Sequence, residues 1–262
     1  MSLSDPRWKT LLARSISEHI GNDKSTLYYV LTTPPLSSRY VVHRGFLNEQ
    51  RADTPEGVEA ADKGFARSDS LLTTTDIRAP KAVAIQQAQD KGGKAEGCVA
   101  WWIEGAQLQF RISGTLHLIS SSNPSAPAFL APRSSKGETF DWAAERSRIF
   151  AKLSPSLRAS FARPTPGSKH PQGDVKGAGE GEAAHEVGET EWPKELPSAK
   201  EEKEADEEQK RLLALAEKNF ALVVLHPTRV DVVDLARDRR SLFERSESEK
   251  DGGEWSETQL VP

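Results

Sequence analysis

A short stretch of hydroxyl and basic side chains follows an apolar run near residue 75. Three threonines at 73–75 lead into Asp76, and Arg78 and Lys81 come next, on either side of Pro80. Hydroxyls and two cations at the end of a strand suit a phosphate group. The same residues also suit a helix N-terminus, with Asp76 as its cap, Pro80 in its first turn and solvated cations. The two interpretations are compatible, so this segment alone leaves both a phosphate site and a helix N-terminus open.

A second pair of cations lies in the stretch Arg39-Tyr-Val-Val-His-Arg44. The two arginines are five residues apart, so a regular strand places them on opposite faces unless a bulge or the strand end redirects one. This spacing alone is weak evidence for a common site.

The other reactive side chains do not group into a centre. Six histidines, at positions 19, 43, 117, 170, 185 and 226, have no ligand-like spacing, so we predict no metal site. The single Cys98 cannot form an internal disulfide, and at a strand start we expect it to be a small buried apolar residue. These patterns single out no catalytic residue, and the cysteine content favours a reducing compartment such as the cytoplasm.

The elements that must position these residues are mostly strands. Seven short runs rich in β-branched and aromatic residues are typical of strands: 27–32, 39–46, 70–75, 98–103, 108–119, 220–225 and 229–235. A short loop containing Gly105 joins the fourth run to the fifth, which predicts an antiparallel hairpin. Amphipathic patterns at 6–20 and 142–153 predict helices. The fold class we expect is mainly β with peripheral helices (α+β), arranged as a barrel.

Composition divides the chain into a folded part and an insertion. Residues 164–200 are rich in Gly, Pro, Glu and Lys, and such a run buries too little apolar surface to fold. We predict a disordered acidic insertion there, followed by a charged helix at 201–218 that leads into the next strand. Residues 1–163 and 218–262 then form one domain.

Net charge points to a small anionic ligand. The chain carries -4 overall, whereas residues 171–210 alone hold 13 acidic and five basic side chains, so the remainder is net +4. That excess suits a phosphate and is far weaker than the basic face of a nucleic-acid-binding domain. No apolar window approaches the roughly 18 residues of a membrane span. We therefore expect neither a nucleic-acid nor a membrane partner.

Four stretches, taken in order, resemble a known family. They are Arg39-Tyr-Val-Val-His-Arg44, Thr75-Asp-Ile-Arg-Ala-Pro-Lys81, Gln109-Phe-Arg-Ile-Ser-Gly114 and Trp255-Ser-Glu-Thr-Gln-Leu-Val-Pro262. Together they resemble the pyridoxamine 5'-phosphate oxidase-like flavoproteins, most closely the Alr4036-type branch, over about residues 5–165 and 218–262. The resemblance implies an FMN-binding split β-barrel and a homodimer with two flavin sites at its interface.

The resemblance also implies which residues hold the cofactor. In the family the first cation of the Arg39 stretch and the cations of the Thr75 stretch bind the FMN phosphate, whereas Arg44 and Gln109 match positions near the flavin. The full set of implied FMN-binding residues is Arg39, Val41, Val42, Arg44, Thr74, Thr75, Arg78, Lys81, Gln109, Arg239 and Arg240.

One departure bears on the reaction. Oxidases of this family that act on pyridoxamine phosphate carry Arg-x-His near the C-terminus, whereas residues 236–243 of this chain contain no histidine. The resemblance implies an FMN-dependent oxidoreductase with a small substrate, phosphorylated or not, in the manner of a pyridoxamine or pyridoxine phosphate oxidase. The alternatives are a non-enzymatic FMN-binding module, a flavin reductase acting on another substrate, and a flavin-free barrel.

Overall fold

The computed structural model describes residues 5–50, 58–134, 136–169, 192–246 and 253–262. The strands are β1 (Tyr28–Thr33), β2 (Ser37–Val42), β3 (Leu71–Asp76), β4 (Ala95–Ile103), β5 (Leu108–Ser120), β6 (Phe220–Asp234), β7 (Arg239–Arg245) and β8 (Trp255–Leu260). The α-helices are α1 (Arg7–His19), α2 (Pro80–Asp90), α3 (Trp142–Ala151), α4 (Pro155–Ser160) and α5 (Glu207–Asn219). Within these described ranges, no helix is long and apolar enough to cross a membrane.

Six of the strands close into a barrel. β1 pairs with β2 and β4, β5 pairs with β4 and β6, and β3 pairs with β6, all antiparallel. Just beyond β2, backbone hydrogen bonds from Arg44 to Leu72 (2.8 Å) and from Leu72 to Gly45 (2.9 Å) join the chain to β3. The order β1-β2-β3-β6-β5-β4 therefore returns to β1, and the expected mainly β barrel with peripheral helices is confirmed.

β6 is the longest strand and belongs to two parts of the sheet. Its first half pairs with β3, and its second half pairs with β7, which carries β8 at the sheet edge. The predicted strands 220–225 and 229–235 are thus one strand. Pro227 looks like a breaker in the sequence, but it pairs with Gly114 where the β5–β6 register shifts, and a bulge tolerates proline. A Cβ at Gly114 would lie 2.0 Å from the His226 carbonyl oxygen, so only glycine fits there.

Two apolar cores lie on opposite sides of the barrel wall. The first fills the barrel with side chains such as Trp101 and Phe110, and α1 and α2 cover its ends. The second lies between the outside of β3, β5 and β6 and the helices α3 to α5. Alternation along β4 buries Trp101 and exposes Trp102, and it exposes Cys98 as well. The expectation of a buried Cys98 is therefore wrong, because Cys98 lies on the outward face of its strand.

Part of the predicted insertion is ordered. Residues 192–200 pack against α4: Leu196 is 2% exposed in the second core, and its N–H donates to the Pro155 carbonyl at 3.1 Å. Arg158 binds the Pro197 carbonyl at 2.8 Å. Predicted disorder is therefore wrong for 192–200, because the buried leucine and the contacts of Arg158 with Pro197 and of Arg163 with Pro193 outweigh the polar composition. Residues 170–191, the middle of the predicted insertion, lie outside the described residues.

The charged helix also begins later than its composition indicates. Residues 202–204 form a short 3-10 turn, and α5 starts after Asp206, whose carboxylate accepts from the Gln209 N–H at 2.8 Å. This capping interaction favours a helix start at residue 207 rather than 201. α5 leads directly into β6.

Candidate functional site

The first group of predicted site residues lies at the end of the barrel where α2 begins. β3 ends at Asp76 and α2 starts at Pro80, so a three-residue turn carries the chain from the sheet onto the helix. Ala79, the residue before the helix, makes no side-chain capping hydrogen bond. The positive end of the α2 dipole is therefore not neutralised by a cap. Lys81 is the second residue of this helix.

Arg39 on β2 brings a second cation to Lys81. The guanidinium of Arg39 donates hydrogen bonds to the hydroxyl oxygens of Thr33, at 3.0 Å, and Ser37. Burial lowers the pKa of Lys81, the nearby charge of Arg39 lowers it further, and Asp76 offsets part of the change. Two cations and two hydroxyls thus converge beside an uncapped helix N-terminus. We call Arg39, Lys81, Thr33 and Ser37 the mouth cluster.

The two predicted threonines of β3 face opposite sides of their strand. Thr75 is buried on the same side as Leu71, a barrel-core residue, and its hydroxyl donates to the Asp76 carbonyl at 3.2 Å. Thr74 is half-buried and points to the other side. Arg39 is the register partner of the barrel-core residue Leu31, so Arg39 and Thr75 both lie on the barrel-facing side.

Arg78 is engaged in holding the turn together. Its guanidinium binds both carboxylate oxygens of Asp76, at 2.9 and 2.6 Å, and donates to the carbonyls of Phe161 (3.3 Å) and Arg163 (2.9 Å). These contacts tie the β3–α2 turn to the chain that leaves α4. Four hydrogen bonds to other groups leave the Arg78 guanidinium little capacity to bind a phosphate, so it contributes to the site chiefly by fixing the turn.

The remaining predicted residues of the Arg39 stretch divide between core and surface. Val41 is buried in the barrel, whereas Val42 is half-buried, and its carbonyl accepts from the Thr73 hydroxyl at 2.9 Å. Arg44 is half-buried close to Tyr29. Burial raises the pKa of Tyr29, and a hydrogen bond with Thr73 and the charge of Arg44 each offset part of that rise.

Gln109 and Arg240 lie on the outside of the barrel. Gln109 pairs with the exposed Trp102 on one side and with Val233 on the other, and Arg240 is the next partner of Val233. Arg240 binds both carboxylate oxygens of Asp231, at 3.0 and 2.8 Å, and this hydrogen-bonded pair lowers the pKa of Asp231.

Arg239 points into a different recess. It is exposed and lines a cavity of about 660 Å³ between α1 and the start of β7, together with Arg7, Arg14 and Arg237. Within one chain, Arg239 therefore does not share a site with its neighbour Arg240.

The structure brings some predicted residues together and keeps others apart. Arg39 and Lys81 lie close to each other at the barrel mouth, and Thr75 lies on the barrel-facing side of β3. Gln109 is three strands away from β2 in the order β2-β1-β4-β5, or about 14 Å at ordinary strand spacing, and on the outer face. The hydroxyl donors Thr33 and Ser37 were not predicted. Ser37 stands two residues before Arg39, hence on the same side of a strand, and that periodicity is the signal that could have identified it.

The mouth cluster fits the phosphate of a flavin mononucleotide. A phosphate of charge near -2 favours several cationic and hydroxyl donors, and helix N-termini bind such anions. The convergence of Arg39 and Lys81 is unfavourable by itself, since like charges repel, and an anion between them would relieve it. For metals the finding differs: in the described residues, no group of three or more His, Cys, Asp or Glu side chains is placed to hold an ion.

Comparisons with known proteins agree with this geometry. Residues 5–120 match the family model described as pyridoxamine 5'-phosphate oxidase, FMN-binding domain. No curated protein matches the chain. A pyridoxamine 5'-phosphate oxidase-related, FMN-binding protein from Nostoc punctiforme is similar in structure at 24% identity and a TM-score of 0.59, with 99% of this chain and 100% of that chain covered.

A second solved structure is similar at lower identity. PhzG from Burkholderia lata, in complex with tetrahydrophenazine-1-carboxylic acid, matches at 15% identity and a TM-score of 0.50, covering 98% of this chain and 95% of its own. Both structural similarities support the split-barrel fold, and the family model indicates FMN as the cofactor. Residues 5–120 are therefore similar to the pyridoxamine 5'-phosphate oxidase FMN-binding domain family, and this similarity supports FMN as the cofactor.

Proposed function

We propose that this protein is an FMN-dependent oxidoreductase in which the mouth cluster holds the cofactor phosphate. The observation that carries the proposal is the approach of Arg39 to Lys81 at the uncapped N-terminus of α2. FMN, when bound, supplies hydride-transfer chemistry. The residues of the chain bind the phosphate, orient the flavin and exclude water from it. Arg44 lies just beyond the end of the strand that carries Arg39, and we assign its positive charge to the flavin end of the cofactor.

We further propose that the working unit is a homodimer with shared sites. Gln109 and Arg240 lie on the outer face, out of reach of the mouth cluster of their own chain. The exposed aromatic side chains Tyr28, Tyr40 and Trp102 lie on the same sheet. Exposed apolar groups of this size favour a protein contact. A second copy placed on that face would bring its Gln109 and Arg240 to the flavin held by the first.

The substrate we propose is a small anionic molecule other than pyridoxamine or pyridoxine phosphate. The β6–β7 connection carries Arg237 and Arg239 but no histidine, so it attracts an anion without the Arg-x-His pair of the vitamin oxidases. Loss of a charge-assisted hydrogen-bond pair typically costs about 100-fold or more in kcat/KM. Turnover of these vitamin phosphates should therefore be weak.

The cofactor and reaction are tested on the protein as purified. Absorbance near ~450 nm and the mass of the released chromophore identify FMN. Oxygen uptake and pyridoxal phosphate formation are then measured with pyridoxamine and pyridoxine phosphates. A colourless protein that gains no flavin on incubation with FMN would contradict the proposal. Turnover near ~1 s⁻¹, an ordinary enzyme rate, would instead restore the vitamin oxidase assignment.

Mixed dimers test the shared site. One variant combines Arg39→Ala with Lys81→Ala, and a second combines Gln109→Ala with Arg240→Gln. Each alone should retain little flavin. If each site draws on two chains, unfolding and refolding the two variants together should restore roughly a quarter of the sites, because half of the random dimers are mixed and each has one intact site. A mixture with no recovery, or a monomer by sedimentation, would contradict the dimer.

A further inference from the structure

A groove away from the mouth cluster contains two histidines that the proposed function does not use. His117 on β5 and His226 on β6 lie beside Phe129, which belongs to the short 3-10 turn Ala128–Leu130. The groove has a volume of about 1040 Å³, and Arg229 and Arg245 line its outer end. We call it the histidine groove.

Phe129 provides a flat apolar wall in this groove. It is 43% exposed although it is a large aromatic residue. Its ring contacts both imidazoles edge to face, with centroid distances of 5.7 Å to His117 and 5.4 Å to His226. Aromatic rings prefer such edge and offset contacts with one another. A planar ring entering the groove could stack on the exposed part of Phe129.

His117 supplies polar atoms that have no partner in the described part of the chain. The residue is 6% exposed, and neither of its ring nitrogens makes a hydrogen bond there. Burial lowers the pKa of His117 to about 4, so its ring is neutral at pH 7 and carries one N–H donor and one acceptor nitrogen. His226 differs, because its Nδ1 lies 3.2 Å from the Ser70 hydroxyl. A buried polar group without a partner is costly, and a ligand atom beside His117 would remove that cost.

The charges around the groove favour an anion. Its basic side chains are Lys94, Arg229 and Arg245, and its one acidic side chain is Glu96. Arg245 is bound to Asp69, so its charge is largely compensated. Arg229 is 54% exposed and only 3.7 Å from Glu244, a loose surface pair that competes weakly with a ligand.

We infer that the histidine groove binds a small planar aromatic anion, with its ring on Phe129, its anionic group at Arg229 and a polar atom hydrogen-bonded to His117. The three requirements are independent: a flat apolar face, a positive rim and a buried imidazole. The groove reaches Thr33 of the mouth cluster at its other end. The test must therefore separate it from the flavin site.

Binding is measured by calorimetry on protein saturated with FMN, with 6-hydroxy-2-naphthoate as the probe, because its carboxylate can bind Arg229 while its hydroxyl group binds His117. Two comparators isolate the requirements: 2-naphthalenemethanol keeps the ring without the charge, and cyclohexanecarboxylate keeps the charge without the flat ring. We expect one site per chain for 6-hydroxy-2-naphthoate and binding at least about tenfold weaker for either comparator. The flavin absorbance should not change. No binding, or binding that displaces or perturbs the flavin, would overturn the inference.

Surface variants locate the site. Arg229→Gln and Phe129→Ala should each weaken 6-hydroxy-2-naphthoate binding about tenfold, and both positions are exposed enough for the fold to survive. Arg211→Gln is the matched control, since this arginine of α5 is 63% exposed and also paired to a glutamate. Nitrogen NMR of the histidine rings should show a His117 shift on binding that is absent in His117→Leu. Equal affinity in Arg229→Gln, Phe129→Ala and the control would refute the groove.

Discussion

The mouth cluster and the outer face of β5 to β7 use basic residues in opposite ways. On the outer face, Asp231 lies between Arg240 and Arg111, so a buried carboxylate balances the arginines. At the mouth, Arg39 donates to hydroxyls alone among the described residues, and the carboxylate beside Lys81, Asp76, is occupied by Arg78. The difference shows that a carboxylate of the same chain compensates the outer arginines, whereas the cations at the mouth are left for an anionic ligand. Residue type and strand position alone do not distinguish them.

The largest expected effect comes from the mouth. Replacing Arg39 and Lys81 together by Ala should weaken FMN binding at least ~100-fold, because two charge-assisted contacts to the phosphate are lost. The thermal midpoint of the flavin-free protein should not fall, since the substitution removes a repulsion. Flavin titration and calorimetry measure both quantities. Arg211→Gln serves as the control. Unchanged flavin content in the double variant would contradict the view that the cations at the mouth bind the cofactor phosphate.

A third kind of basic side chain, the buried His117, sharpens the comparison because burial lowers its pKa and keeps it neutral at pH 7. The folded pKa of His117 is about 4, below the ordinary value near 6.5. Its unfolded form therefore gains a proton first as the pH falls, and stability declines from about pH 6.5 down to pH 4. Between pH 7 and 5 the loss should be about 2 kcal/mol. Urea unfolding should show a smaller pH-dependent loss in His117→Leu, and an identical loss would contradict the assignment.

A smaller effect is expected on the outer face. Arg240→Gln leaves the Asp231 carboxylate with a longer contact to Arg111, at 3.6 Å, so the urea midpoint at pH 7 should drop. Because Arg240 lowers the pKa of Asp231, the difference should persist above about pH 4 and vanish as the pH falls through the folded pKa. Adding Asp231→Asn should recover much of the loss. If the urea midpoint does not recover, the loss of the Arg240–Asp231 pair is not the cause of its decrease.

The smallest change separates Arg78 from the mouth cluster. Because its guanidinium is bound to Asp76 and to two carbonyls, Arg78→Gln should alter FMN affinity less than about threefold. Fluorescence titration with FMN is the measurement, and Arg39→Gln is the matched positive case. A tenfold loss of FMN affinity in Arg78→Gln would show instead that Arg78 binds the phosphate.

The barrel was predictable from the sequence because its strands alternate and carry β-branched residues. β7 and β8 were not, since Arg239–Arg245 and Trp255–Leu260 are too polar to resemble strands and gain their order from pairing beside β6. In the same way, composition could not show that Leu196 has a pocket, because that pocket is made by distant helices. Proximity of Arg39 to Lys81 followed from the family resemblance rather than from spacing. The roles of the predicted FMN-binding residues remain predictions.

The contact between Arg163 and Pro193 has a practical meaning for engineering this chain. The Arg163 Nε donates to the Pro193 carbonyl at 3.1 Å, so two points 30 residues apart in the sequence are held together. The entropy of closing a loop grows only with the logarithm of its length, and each doubling costs about 0.6 kcal/mol. Residues added between these two points should on this scaling lower the stability of the barrel little, whereas an insertion a few residues past Pro193 would separate Leu196 from its pocket.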